Sequence, residues 1–214
     1  MSEKLQKKWI IFIVVALLSL VADQATKVWA RHSLPVIGHG TSPSGKCVVP
    51  DDIAAVPPLC GGQAVPVIDG YWDWRLSMNH GSAFGLFANS PGLARVFLSL
   101  VGIGAVFAMA LMMKKARKDQ AILHWALALV VGGAIGNLID RIYFGVVTDF
   151  VLWHYHAKEW PVFNVADVVL VIGVGLMFID IQKENKRDKR TKKEKSQARD
   201  EAARKAGLIK DHGE

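Results

Sequence analysis

The chain has 214 residues, 51% of them hydrophobic, with a formal net charge of +7 and a mean hydropathy of +0.25. This length suits one domain, and this hydropathy is high for a soluble protein. The apolar residues form four blocks, and roughly 20 helical residues cross the hydrocarbon core of a bilayer. The sequence therefore predicts an all-α membrane protein with transmembrane helices near residues 9–29, 93–113, 120–139 and 163–182.

The first apolar block also has features of a cleaved signal peptide. Three lysines precede it, and "VWA" ends at Ala30. However, Asp23 and Lys27 lie between the apolar core and that cleavage site, where signal peptides seldom carry charge. We therefore interpret this block as the first transmembrane helix.

The distribution of positive charge predicts the orientation of the helices. If both termini lie on one side, that side holds 19 of the 26 Lys and Arg residues, in the N-terminus, the turn at 114–118 and the tail after 182. Basic residues concentrate in cytoplasmic loops. Both termini are therefore predicted to be cytoplasmic, with loops 30–92 and 140–162 facing outward. The positive charge then reflects topology and a membrane-facing tail, and it predicts no nucleic-acid partner.

The first outer loop divides into two parts. Residues 35–66 contain six of the eight prolines, which indicates an irregular insertion near residues 38–64. The following segment, "YWDWRLSMNH" at 71–80, alternates in the way typical of a strand. Its tryptophans fit either a small sheet at the lipid interface or a packed strand in a small outer domain.

Both cysteines, Cys47 and Cys60, fall in this insertion. In an oxidising compartment they can form a disulfide, and two separate thiols are equally compatible with the sequence. The zinc-binding spacings C-x-x-C and H-E-x-x-H do not occur in the chain. The sequence therefore predicts neither a metal nor another cofactor.

The tail from residue 183 to residue 214 mixes charges of both signs with almost no apolar face. Such a segment is either a solvated helix or disordered, and it can contact anionic lipid head groups. We divide the chain into a transmembrane domain at 1–182 and a cytoplasmic tail at 183–214.

Polar residues gather at one end of the predicted helices. In the orientation above, the following all lie at outward helix ends or in outward loops: Asp23, Thr26, Lys27, Asn79, Asn137, Asp140, Arg141, Asp149, Asn164 and Asp167. An Asp at the centre of a span costs roughly 2.5–3.5 kcal/mol, and ionisable groups in membranes usually mark function or pair with one another. We therefore predict one shared site, in preference to interfacial anchoring and hydrogen bonding between helices.

Two of the four aspartates have a cation nearby in sequence. Asp140 precedes Arg141, which indicates an ionised, structural carboxylate. Asp23 has Lys27 one helical turn away, on the same face of the helix.

Asp149 and Asp167 have only apolar residues and no cation beside them. Burial and a like-charged neighbour both raise a carboxyl pKa. Two such groups can share one proton, so that one acts as a base while the other acts as an acid. This pair is therefore the candidate for activating water against an amide.

Five motifs occur in order at these helix ends: "DQATK", "NHGSAF", "GGAIGNLIDR", "VVTDF" and "FNVAD". Together they closely resemble the signal peptidase II family of lipoprotein signal peptidases, over residues 9–182. These are aspartyl peptidases of the bacterial inner membrane, with the site toward the outer face. The resemblance implies that Asp149 and Asp167 form the catalytic dyad.

The resemblance also implies the substrate, a prolipoprotein that carries diacylglycerol on the cysteine that becomes its new N-terminus. Partners are thus lipidated precursors and membrane lipids, and we expect a monomer. Gly133 and Gly136 are expected to let helices approach closely. Ser82 replaces an alanine common in the family, a small change. Seven residues map onto positions that line the substrate pocket: Asp23, Lys27, Asn79, Gly81, Asn137, Arg141 and Asn164.

Three other functions are less consistent with the sequence. A metal-dependent hydrolase would use His154 and His156 with an aspartate, but the usual ligand spacing is missing. A serine peptidase would need His80 and Ser82 to align, which residues two apart on a turn rarely do. A small transporter or a non-enzymatic assembly factor is the alternative from another class, and a transporter would place its polar groups at the bilayer midplane.

Overall fold

The computed structural model of the protein describes residues 3–37, 61–81 and 91–205. Within these ranges, four helices are long and apolar enough to cross a membrane. They are α1 (Glu3–Ser33), α2 (Pro91–Lys115), α3 (Ala121–Tyr143) and α4 (Val165–Lys205). The strands are β1 (Val36–Ile37), β2 (Gly61–Gly62), β3 (Val65–Ile68), β4 (Trp72–Asn79), β5 (Val147–Tyr155) and β6 (Lys158–Glu159). The predicted fold class, four transmembrane helices with a small β element, is confirmed.

Helix α3 is the central helix of the bundle and packs against α1, α2 and α4. Its glycines permit this packing, because small residues let helix backbones approach in membranes. A Cβ on Gly133 would lie 2.7 Å from the carbonyl oxygen of Ala166 in α4. On the other side, a Cβ on Gly132 would lie 2.8 Å from the carbonyl oxygen of Ala16 in α1.

At the end of the bundle that bears both termini, charged side chains hold the helices together. The buried amine of Lys8 donates to the carbonyl oxygens of Met113 at 3.0 Å and Ala116 at 2.9 Å. These acceptors lie at and just beyond the end of α2, where a helix leaves carbonyls without partners and favours a cation. Lys8 therefore joins α1 to the C-terminal end of α2.

The charged tail continues α4 as a helix as far as Lys205, which agrees with the solvated-helix interpretation. Its first turn beyond the apolar part contacts the connection between α2 and α3. Asp119 accepts from Arg187 at 2.5 Å and from Arg117 at 3.2 Å, and these hydrogen bonds lower the pKa of Asp119 to about 2. Exposed ion pairs stabilise proteins little, so this contact adds little to the stability of the helix.

The strands form a four-stranded antiparallel sheet in the order β3-β4-β5-β6, and β1 pairs with β2. Strand β4 falls within the predicted strand at 71–80. The sheet packs on the end of α1, where Leu76 and Phe150 are buried with Ala30 and Leu34. The ring of Trp29 contacts that of Trp74 at 5.2 Å between centroids. Helix and sheet therefore share one small apolar core beside the bundle.

Several predictions fall outside the described residues. They concern Cys47, Cys60, Ser82 and the insertion up to residue 60. Of that insertion, the described end is Gly61–Gly62, which pairs with Val36–Ile37.

Candidate active site

The first turn of α4 carries one of the two candidate catalytic aspartates. Asn164 precedes the helix, and its Oδ1 accepts the backbone N–H of Asp167 at 3.0 Å. In return, Oδ2 of Asp167 accepts the backbone N–H of Asn164 at 3.1 Å. This reciprocal arrangement is a capping box, which satisfies backbone donors that a helix start leaves without partners. The start of α4 therefore fixes the Asp167 side chain.

Asp149, the second candidate, lies on β5 and is 2% exposed. Its carboxylate accepts the side-chain amides of Asn164 at 2.6 Å and Asn79 at 2.9 Å. Burial, followed by the charge of Asp167, raises the pKa of Asp149 to about 7, against the effect of these hydrogen bonds and of Lys27. Asn164 thus contacts both carboxylates, and the two aspartates influence each other electrostatically.

A β-bulge brings Asn79 onto the same face of the sheet as Asp149. Between the pairs Trp74–Val151 and Ser77–Asp149, β4 advances three residues while β5 advances two. Without the extra residue, the alternation of side chains would turn Asn79 to the opposite face. The alternation predicted along β4 therefore breaks at the bulge, and the break places Asn79 beside the carboxylate.

Gly81 sets the orientation of the Asn79 amide. Its backbone N–H donates to Oδ1 of Asn79 at 2.8 Å, which leaves the NH₂ group facing Asp149. Gly81 has a φ of +85°, a conformation that glycine adopts without steric cost. A side chain at this position would also collide with Leu98 of α2.

Asn137 of α3 joins the carboxylates to the interior of the bundle. Its NH₂ group donates to Oδ1 of Asp167 at 3.0 Å. Its Oδ1 accepts from the amide of Asn164 at 3.1 Å and from the amine of Lys27 at 2.8 Å. These partners require the amide orientation shown, so Asn137 holds one carboxylate oxygen of Asp167 while the capping box holds the other.

Lys27 is fully buried at the centre of an ion-pair cluster. Its amine lies 2.9 Å from Asp23, the predicted partner one turn away, and 3.6 Å from Asp140. The second oxygen of Asp23 accepts the backbone N–H of Ala166 in the first turn of α4, at 2.9 Å. A Cβ on Gly136 would overlap the Asp23 carboxylate, so the close approach of α3 depends on glycine there.

The expected pairing of Asp140 with Arg141 is wrong. The cations that pair with Asp140 are Lys27 and Arg31, each at 3.6 Å. Consecutive residues on a helix point in different directions, so sequence neighbours do not face each other. Asp140 therefore serves the interior cluster, and Arg141 points elsewhere.

Arg141 is half-buried, and its guanidinium donates to the carbonyl oxygen of Asn137 at 3.4 Å. The carboxylates whose charges act on it most are Asp167 and then Asp149, ahead of Asp140. This places the Arg141 charge near the two candidate catalytic groups.

Arg31 and Thr148 are two residues of the site that the sequence analysis missed. Arg31 donates to the hydroxyl of Thr148 at 2.7 Å, and its guanidinium lies 4.3 Å from the ring centroid of Phe144. The backbone N–H of Thr148 donates to Asp140 at 2.8 Å. Because Thr148 immediately precedes Asp149, these contacts anchor the strand that carries the carboxylate. The sequence did contain one indication that Arg31 belongs to the site, because it follows Lys27 by one helical turn.

His154 and His156, the candidate metal ligands in the sequence, contact other side chains in the structure. His154 lies 3.3 Å from the carboxylate of Asp73 on β4. His156 stacks on Tyr155. In residues 3–37, 61–81 and 91–205, no group of three or more His, Cys, Asp or Glu side chains has the arrangement of a metal site.

Fold and site together define a four-helix membrane protein that holds two carboxylates between shared asparagines at one end of its bundle. A family model described as signal peptidase (SPase) II matches residues 15–183. The chain belongs to this signal peptidase II family.

Individual relatives agree with this assignment. The lipoprotein signal peptidase of Geobacter sulfurreducens is 35% identical over 177 residues, which cover 83% of this chain and 94% of the relative. That of Pseudomonas putida is 33% identical over 173 residues, covering 80% and 86%. A solved bacterial membrane enzyme superimposes with a TM-score of 0.59 at 26% identity, over 81% of this chain and 88% of the other.

The anchor of β5 can be tested by Thr148→Val, which removes the hydroxyl and keeps the shape of the side chain. A buried hydrogen bond to a charged group contributes about 1.5–3 kcal/mol, so we expect a loss of that order in the free energy of unfolding. The control is Thr26→Val, because that hydroxyl contacts carbonyls of its own helix, at Ala22 and Asp23. Unfolding of the purified protein in detergent measures both variants, and equal small losses would contradict the anchor.

The raised pKa of Asp149 predicts how stability depends on pH. Between its ordinary value of 3.8 and about 7, the folded protein keeps a proton that the unfolded chain has released. Stability is therefore lost as pH rises through this range, and Asp149→Asn removes that loss. The melting temperature of the variant minus that of the unmodified protein should increase from pH 4 to pH 8. A difference for Asp149→Asn that stays constant between pH 4 and pH 8 would refute the raised pKa.

Proposed function

We propose that this protein is an intramembrane aspartic endopeptidase that removes signal peptides from diacylglyceryl-modified prolipoproteins. It cleaves the amide bond N-terminal to the lipidated cysteine. One observation supports the proposal most directly. Asn164 donates hydrogen bonds to the carboxylates of both Asp149 and Asp167, in a chain of the signal peptidase II family. Lipoprotein signal peptidase is the description carried by the relatives in Geobacter and Pseudomonas.

The two carboxylates take different roles because their surroundings differ. Asp149 is buried, and burial raises its pKa to about 7, so it can hold a proton near neutral pH. Asp167 is partly exposed and lies at the start of a helix, where a negative charge is favoured. Asp167 is therefore the general base and Asp149 the general acid.

In the proposed reaction, Asp167 takes a proton from water as the water oxygen attacks the carbonyl carbon of the scissile amide. Asp149 gives its proton to the nitrogen of the lipidated cysteine as the carbon–nitrogen bond breaks. The products are the free amine of the lipoprotein and a carboxyl group on the signal peptide. Asn137, Asn164 and Asn79 hold the carboxylates in position.

The positive charge of Arg141 has a role in this scheme. The Arg141 side chain is half-buried. The negative charges of Asp167 and Asp149 act on its guanidinium more strongly than the charge of Asp140 does. Arg141 is thus available to hold a carbonyl of the bound precursor beside the dyad. Asp23 and Lys27, by contrast, are fully buried and support the site from behind.

Residues 1–182 carry the whole peptidase, and residues 183–214 are a cytoplasmic extension. All the residues assigned to the site fall in the first part, whereas the described tail contacts the connection between α2 and α3. The enzyme acts as a monomer, since both carboxylates and their partners come from one chain. It lies in a bacterial inner membrane, with both termini in the cytoplasm and the site toward the outer face.

Replacing either member of the dyad tests the chemistry. Asp149→Asn and Asp167→Asn keep the shape of the side chain and remove proton transfer, so each should lower cleavage of a diacylglyceryl prolipopeptide by at least about 10²–10⁴-fold. Asp69→Asn, on an exposed turn, is the matched control and should cleave normally. The assay uses purified protein with EDTA present throughout. Near-normal cleavage by a folded Asp149→Asn protein would show that the dyad is wrong.

Reporter fusions test the orientation. The excess of Lys and Arg at the termini and at 114–118 predicts that fusions after residues 115 and 185 behave as cytoplasmic. A fusion at residue 155 should behave as exported. An exported C-terminus would place the carboxylates on the cytoplasmic side and contradict the proposed substrate access.

A further inference from the structure

A cleft lies where the charged extension of α4 passes the connection between α2 and α3. One wall is the start of α3, where Ala121 and Ile122 are apolar. The other wall is one side of α4 between Asp180 and Glu194. The cleft therefore combines an apolar side with a charged side, and it lies far along α4 from the two candidate catalytic carboxylates.

The cleft carries positive charge that the protein itself does not pair. The cations of α4 that line it, besides Arg187, are Lys183, Lys186, Lys189 and Arg190. Among the residues that the structure describes, none of these four side chains forms an ion pair or a hydrogen bond. All four are exposed. They are therefore available to a ligand.

Two of the acidic residues in the cleft are already neutralised. Asp119 pairs with Arg187, and Glu184 pairs with Arg117, each at 2.5 Å. These carboxylates therefore do not cancel the charge of the four available cations.

The other two acids of the cleft oppose an anionic ligand only weakly. Asp180 is 6% exposed, and its carboxylate accepts the side-chain amide of Gln120 at 3.0 Å. Glu194 lies one helical turn beyond Arg190, at the end of the cleft farther from the apolar part of α4. The end of the cleft nearer the membrane is therefore the more positive one.

The cleft lies at the level of the bilayer surface. The apolar part of α4 ends at Ile181, and a helix rises about 1.5 Å per residue, so Lys183 and Arg190 follow about 3 Å and about 14 Å beyond it. The head-group layer adds about 5–8 Å to each side of the hydrocarbon core. Cations beyond that layer are still attracted over a Debye length of about 10 Å. The four available cations thus lie within or just outside the layer of lipid head groups.

We propose that this cleft binds the head group of an anionic phospholipid in the cytoplasmic leaflet. The lipid phosphate contacts the available lysines and Arg190, and the glycerol end of the acyl chains lies against Ala121 and Ile122. A soluble polyanion such as RNA would use the cations and leave the apolar wall without a partner. Basic pockets at the cytoplasmic ends of membrane helices bind anionic lipid head groups in this way. The inference goes beyond the peptidase activity and takes only the orientation of the helices from the proposed function.

The test measures lipid binding by the purified full-length protein in micelles of an uncharged detergent. The melting temperature is followed as dioleoyl phosphatidylglycerol is added, and dioleoyl phosphatidylcholine, with the same acyl chains and no net charge, is the reference lipid. Phosphatidylglycerol should raise the melting temperature more than phosphatidylcholine does. A variant with Lys183→Gln, Lys186→Gln, Lys189→Gln and Arg190→Gln should bind phosphatidylglycerol at least about tenfold more weakly, because each cation near the head groups contributes to the attraction.

The matched control removes the same charges farther out on the same helix. It carries Lys192→Gln, Lys193→Gln, Lys195→Gln and Arg199→Gln, all at exposed positions outside the cleft, and it should bind phosphatidylglycerol as the unmodified protein does. Equal weakening in both variants, or equal binding of the two lipids, would overturn the cleft as a site for anionic lipid.

A soluble head group separates a lipid site from a phosphate site. Glycerol phosphate, which lacks the acyl chains, should bind far more weakly than phosphatidylglycerol, and equally tight binding would overturn the assignment to a lipid. Neither measurement uses cleavage. Failure of lipid binding therefore leaves the proposed peptidase intact, and absence of cleavage leaves the lipid result intact.

Discussion

The structure of the site depends on one fully buried cation, Lys27. A charge that has left water must be paired, and breaking such a pair costs about 3–5 kcal/mol. Asp23 and Asp140 supply the pairing carboxylates, and Asn137 accepts a further hydrogen bond. Because Asp23 also accepts a backbone N–H of α4, at Ala166, this single amine ties α1, α3 and α4 together at one depth.

This cluster divides the four aspartates of the site into two kinds. Asp23 and Asp140 face the two buried cations, Lys27 and Arg31. Within the described residues, the hydrogen bonds to the carboxylates of Asp149 and Asp167 come instead from asparagine side chains and one backbone N–H. Amides orient a carboxylate without the strong stabilisation of its charge that a paired cation gives. The cations thus hold the helices together, and the amides leave Asp149 and Asp167 with the weaker charge stabilisation that the proposed acid–base role needs.

The sequence alone predicts those features of the fold and site that depend on composition or on residues close together in the chain. Four apolar blocks predicted four helices, and the spacing of Asp23 and Lys27 predicted their ion pair. It could not find the contact of Arg31 with Thr148, because the partners lie 117 residues apart. Sequence adjacency misled in the case of Asp140, whose neighbour Arg141 points away. A β-bulge is equally hidden, since one extra residue in a strand leaves no mark on composition.

The segment "FNVAD" shows why local structure and chemistry coincide here. An asparagine followed three residues later by an acid is the pattern of a capping box, so the same hydrogen bonds that begin α4 also orient Asp167. Asp149 has no such local support and depends on β5, which Arg31 and Asp140 hold through Thr148. One carboxylate is therefore set by its own helix start and the other by tertiary contacts. That difference gives the two groups unequal environments, which acid and base roles require.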